Sequence, residues 1–248
     1  MHLPERRLQL AAASALGLML AVVVAAAAIR LEIGLPGLRV LHRVVASLEV
    51  LAVLWLAWMA WRVRAARTGV YGAALLAIGL TAFLAVVGIA AGQKPPPAGA
   101  AANLLGGLAL AALFAWILGK AGKWGQTPSS KRSPGCSRKG SDPIFLPIAA
   151  LMAIQLALGA RLAIIERFSP VLPVHALLAM VLAALLAWFA LTHMRAAAGK
   201  ALFVLALAVP VAGFTSLHYE WSAGAALVHA AAAALLLAST AYALGRVA

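Results

Sequence analysis

The sequence predicts an all-α membrane protein of eight transmembrane helices, arranged as two pseudo-repeated four-helix bundles. Three observations lead there. Of 248 residues 65% are hydrophobic and only 10% charged, with a mean hydropathy of +1.01. A soluble domain of this length needs more polar surface than that. The apolar residues also gather into eight runs, each long enough to cross about 30 Å of hydrocarbon at about 1.5 Å per residue. Finally, the last four runs echo the first four.

The runs cover roughly 8–29, 41–61, 70–91, 100–119, 143–161, 171–192, 201–217 and 224–245. The first is too long for the core of a secretory signal, and no small-residue cleavage site follows it, so it reads as a retained span. The second opens on RVLHRVVASLEV and closes on Trp55, Trp58 and Trp61, an interfacial aromatic belt. Gly88 in the third and Pro210 in the seventh are tolerable because neighbouring helices satisfy freed backbone groups.

The net charge of +14 belongs to topology before it suggests nucleic acid. With a cytoplasmic N-terminus, 14 of the 20 Lys and Arg lie inside: Arg6, Arg7, Arg62, Arg64, Arg67, Lys120, Lys123, Lys131, Arg132, Arg138, Lys139, Arg195, Lys200 and Arg246. Arg30, Arg39, Arg43, Lys94, Arg161 and Arg167 lie outside. The positive-inside rule therefore puts both termini in the cytoplasm of a bacterial-type plasma membrane. Residues 120–142, rich in Ser, Gly, Pro, Lys and Arg, form a basic linker between an N-terminal bundle (1–119) and a C-terminal one (143–248). Topology accounts for that basic patch, and no nucleic-acid partner is expected. The single cysteine, Cys136, lies in the linker and cannot close an intramolecular disulfide.

Aligning His42 with His175 also brings together Ala46 and Ala179, Trp55 and Trp188, and Arg62 and Arg195. This shared pattern, with the same loop rhythm, marks an internal repeat. His2 and His193 fall on the cytoplasmic side and His218 in the loop between the seventh and eighth segments. His42, His175 and His229 each sit near the outer end of an even-numbered segment, and Asn103 holds the corresponding place in the fourth. One such histidine caps a helix or bonds a carbonyl as readily as it binds a ligand. Three at equivalent depth are harder to explain so, because ionisable groups in a membrane are costly and face the bundle interior. Two imidazoles on facing helices suit a planar metal macrocycle ligated from both sides. Zinc fits less well, for no Cys or carboxylate stands at ligand spacing. Arg30, Arg39, Arg43 and Arg161 lie on the same side. Two readings of them stand: pairing with haem propionates, or snorkelling to lipid phosphates.

These features resemble the haem A synthase family. The likeness rests on His42-Arg43 opening the second segment, IRLEIGLPGL at 29–38 before it, QLALG at 155–159, and His175 and His229 in the second half. The resemblance implies an oxidoreductase that converts the methyl group of haem O to the formyl of haem A. The first bundle would hold the substrate haem through His42, with Arg43, Arg39 and Asn103 around it. The second would hold a haem b through His175 and His229, with Arg161 nearby. Membrane lipid, haem O and haem A, haem O synthase, oxidase-assembly proteins and further copies of the chain are the partners it brings into view. The chain departs from the family at Asn103, where a histidine is expected, and at Arg39, where a glutamate is expected. The long outer loops with their cysteine pair are also missing.

Glu49 follows His42 by about 700° of helical rotation, about 20° off the same face and roughly 10 Å deeper. At that depth it needs a partner. It could supply the missing acid or base, as could Glu32 beside the first loop, or it could bond a neighbour such as Ser47. Gln155 reads as an interhelical hydrogen bonder rather than a ligand. Two rivals to the enzyme remain: a non-catalytic b-type haem protein or oxidase-assembly partner, and a transporter built on the repeat without haem.

Overall fold

The computed structural model describes residues 3–64, 68–92, 95–122, 145–164, 170–194, 197–219 and 222–247. Linker residues 123–142 with Cys136, and also His2, Arg67, Lys94, Arg167 and Arg195, lie outside the described residues, as does the side chain of His193.

The described residues form eight α-helices: α1 (Leu3–Arg30), α2 (Leu38–Arg62), α3 (Thr68–Ala91), α4 (Pro97–Gly122), α5 (Phe145–Ile164), α6 (Val171–His193), α7 (Ala197–His218) and α8 (Ala223–Val247). All eight are long and apolar enough to cross a membrane. They match the eight apolar runs, though α1 begins five residues earlier, at Leu3. His218, expected in a loop, is instead the last residue of α7 and stacks edge-on against Tyr219. Large exposed apolar side chains such as Leu54, Leu76, Ile89 and Leu191 fit a lipid-facing surface. Trp55, Trp58 and Trp61 are also partly exposed, with Arg62 and Arg64 over the last two rings, as an interfacial belt requires.

The loop between α1 and α2 is built from specific hydrogen bonds. The Glu32 amide donates to the Ile29 carbonyl and the Ile33 amide to the Ala28 carbonyl, which is the Schellman way of closing a helix. Glu32 takes the left-handed position, at φ 55°, where glycine is usual. A type II turn follows, with Pro36 and then Gly37 at φ 77° and the Leu38 amide bonded to the Leu35 carbonyl.

In the first half α1, α2, α3 and α4 pack in a closed ring, which leaves α2 and α4 diagonal. In the second half α5 packs on α6, α6 on α7 and α7 on α8, so α6 and α8 are diagonal. The gap beside α5 and α8 is covered by the first half, because α4 packs on both and α1 packs on α8. α4 and α8 approach each other closely at two glycines. A Cβ at Gly119 would collide with the Tyr242 carbonyl, and one at Gly245 with the Trp116 carbonyl. Small residues let backbones meet this way in membranes, where dispersion rather than water exclusion drives association. One continuous core runs through both halves, from Leu8 and Phe114 to Leu186, Phe189 and Leu202.

Candidate functional site

With eight crossings, both termini share one face of the molecule; the opposite face is called distal below. A cavity opens toward it in the second half. It has a volume of about 200 Å³ and is walled by six helices. His175 of α6 and His229 of α8 both line it. The remaining wall is mostly Ala, Leu, Val and Gly, including Met152, Leu182 and Leu236. Gln155 and Gly159 come from α5, Val209 and Pro210 from α7, Leu104 and Leu108 from α4, and Val23, Ala27 and Arg30 from α1.

Each imidazole is seated by the helix that precedes its own. His229 Nδ1 lies 3.2 Å from the Val209 carbonyl. A carbonyl only accepts, so Nδ1 carries the proton and the neutral ring keeps its lone pair on Nε2. A Cβ placed at Gly213 would stand 3.1 Å from His229 Cε1, so the absent side chain is what lets the ring come this close to α7. His175 repeats the arrangement. A Cβ at Gly159 would stand 3.1 Å from its Cε1, and Gln155 donates to the His175 carbonyl at 3.2 Å with the same Nε2 3.4 Å from His175 Nε2. In both hairpins the glycine precedes the histidine by 16 residues and the backing residue by 20. Pro210, next to Val209, withholds one helical hydrogen bond from α7 inside the cavity wall.

Of the two imidazoles, His229 keeps Nε2 free toward a metal macrocycle, whereas His175 Nε2 faces the Gln155 amide nitrogen at 3.4 Å. Gln155 Oε1 and His175 Nδ1 are buried without a hydrogen-bond partner, and polar atoms in such places are normally satisfied. A histidine ligand characteristically donates its second ring N–H to a carbonyl, as His229 does. Among the described residues no group of three or more His, Cys, Asp or Glu gathers.

The first half differs. His42, near the distal end of α2, lies beside the Val22 backbone, again 20 residues earlier, but its Nδ1 is buried without a hydrogen bond. Residue 26, at the position of the seating glycines, is alanine. Asn103 is half-buried on α4, and Arg39 and Arg43 are exposed. Glu49 heads the buried stripe of α2 at 5% exposure. Its Oε1 has no partner, and Ser47, the candidate neighbour, donates to the Arg43 carbonyl instead. Thr81, at the distal end of the buried face of α3, is 9% exposed and likewise unpartnered at Oγ1. Glu32 sits exposed at the α1 cap.

Among the cofactor residues expected from sequence, His175 and His229 share one cavity. Arg161 does not join them: it is exposed on α5, and the cation in the wall is Arg30. Sequence reasoning also passed over Gly213 and Val209, although the repeated glycine-to-histidine interval of 16 could have found the former. Comparison of the sequence with known protein families and with curated proteins finds no match.

Proposed function

We propose that this chain is a haem A synthase-type membrane oxidoreductase, with a haem b held by His175 and His229 in the second half and haem O presented by His42 in the first. The observation that carries the reading is the pair of imidazoles on diagonal helices, lining one apolar cavity and each seated on a glycine 16 residues earlier. When bound, the haem supplies a one-electron iron couple. The protein residues do the rest. Val209 fixes the tautomer of His229 so that Nε2 is available to iron. Gln155 steadies the first turns of α6 around His175, and the apolar wall keeps water from the ligands. Glu49 is the only acidic side chain in the buried core of the first half among the described residues, and is the candidate to move a proton during methyl oxidation. The distribution of Lys and Arg favours a bacterial-type plasma membrane with cytoplasmic termini. Haem O synthase and oxidase-assembly proteins are the partners this chemistry calls for.

A second reading, a b-type haem protein without catalysis, draws support from Asn103. An amide is a poor iron ligand, so the first half offers His42 alone. The test is to purify the protein from cells making haem O, record its visible spectrum and identify the extracted haems. A reduced b-type spectrum lost in both His175→Ala and His229→Ala, but kept in His42→Ala, is expected. Extracted haem A or a hydroxylated intermediate would establish catalysis, and haem b alone would favour the second reading. A colourless, folded protein would remove haem and leave the transporter.

A further inference from the structure

Six helices wall the cavity, yet among the described residues no acidic side chain lines it and its wall carries a single guanidinium, that of Arg30. Arg30 closes α1, a helix of the other half, and is half-buried. No ion pair to it occurs among the described residues. A cation at a helix C-terminus gains from the helix dipole, and a lipid-facing arginine reaches headgroups by snorkelling. Neither explains why this one turns into the cavity while Arg39, Arg43 and Arg161, on the same face, are exposed. Its placement is also fixed by backbone. The paired hydrogen bonds from Glu32 and Ile33 end α1 immediately after Arg30, with Glu32 held in the left-handed region to do so.

His175 is the fifth residue of α6 and His229 the seventh of α8, both counted from the distal face, whereas Arg30 stands at the very end of α1. The cation therefore lies toward the mouth, above the imidazole pair. A desolvated guanidinium there is complemented by a planar carboxylate, which it can grip with two hydrogen bonds.

We propose that Arg30 binds a carboxylate on the rim of the ring held by His175 and His229, so that the site selects an acidic tetrapyrrole over a neutral one and draws its anion contact from the first half of the chain. This rests on the haem reading above. The test is to titrate the haem-free full-length protein in detergent with iron protoporphyrin IX and, separately, with its dimethyl ester, following the absorption of the bis-imidazole complex. The wild type should bind the free acid about tenfold or more tightly than the ester. Arg30→Gln should bring the two affinities together by weakening the acid alone, and Arg30→Lys should keep part of the preference. Equal affinities in the wild type, or a preference unchanged by Arg30→Gln, would overturn the role of Arg30 while leaving the haem site intact. Absence of the bis-imidazole spectrum with both porphyrins would instead overturn the haem reading, and this proposal with it. The wild-type comparison needs no variant, so equal affinities overturn the proposal even where Arg30→Gln does not fold, and a preference left undiminished in Arg30→Lys overturns it as well.

Discussion

The two halves hold their distal histidines in one register and surround them differently. His42, His175 and His229 each lie against the residue 20 positions earlier, on the preceding helix. In the second half the ring also meets a glycine, and the diagonal helix answers with another imidazole. In the first half alanine replaces the glycine, asparagine replaces the second imidazole, and two buried oxygens, on Glu49 and Thr81, are left without partners. The hairpin register is thus set by helix packing and survives changes at the site. Ligation, in the haem reading proposed above, would depend on a few side chains placed over it. A bundle can keep the geometry of a cofactor site and lose, or change, its chemistry.

The comparison is tested most severely by restoring the missing ligand. Asn103→His should add a second equivalent of bis-imidazole haem to the purified chain, measured as haem per protein. No added haem would mean that shared register does not give α2 and α4 the spacing of α6 and α8. The next largest effect belongs to the seats. Gly159→Ala or Gly213→Ala places a methyl against an imidazole that must then shift, and should weaken haem affinity by about tenfold, in the range of second-shell changes. Ala26→Gly in the first half should leave haem content unchanged.

The unpartnered carboxyl gives a third contrast. In haem-free protein, Glu49→Leu should stabilise the chain by roughly 2 kcal/mol, because a buried polar group without a partner is removed. Thermal unfolding in detergent reads this directly. In a catalytic protein the milder Glu49→Gln should also stop conversion of haem O. The smallest effect is expected at the α1 cap. Glu32→Gly relieves a left-handed residue at some cost in chain entropy and should stabilise by about 0.5–1 kcal/mol.

Much of this could be read along the chain, because span length and apolarity are local properties. Eight runs became eight helices, and His175 and His229 stood out as ionisable groups in apolar surroundings. The cavity wall was hidden for a physical reason. Val23, Leu104 and Leu108 face protein and Leu54 and Ile89 face lipid, yet both environments favour the same side chains, so sequence does not sort them. Arg161 and Arg30 show the same limit. Each lies in the last turn of an odd-numbered helix on the distal face, and only the packing of α1 beside α8 sends one to the cavity and leaves the other exposed. The partnerless state of Glu49 was equally out of reach, since Ser47 was a plausible neighbour until its hydroxyl proved to be turned to Arg43.

The meeting of Gly119 with Gly245 bears on how the molecule is made. α8 leaves the insertion machinery after the seven helices before it, and it must find α4 through a contact that admits no side chain on either helix. Until that docking occurs, the wall supplied by α1 and α4 is not beside His229, and the second half alone presents an open trough to lipid. Loading of a cofactor would then follow insertion of α1 to α8 together rather than of α5 to α8 alone. Bound colour would report that biogenesis had finished, and a bulky residue at Gly245 would leave a fully translated, membrane-inserted chain that never acquires it.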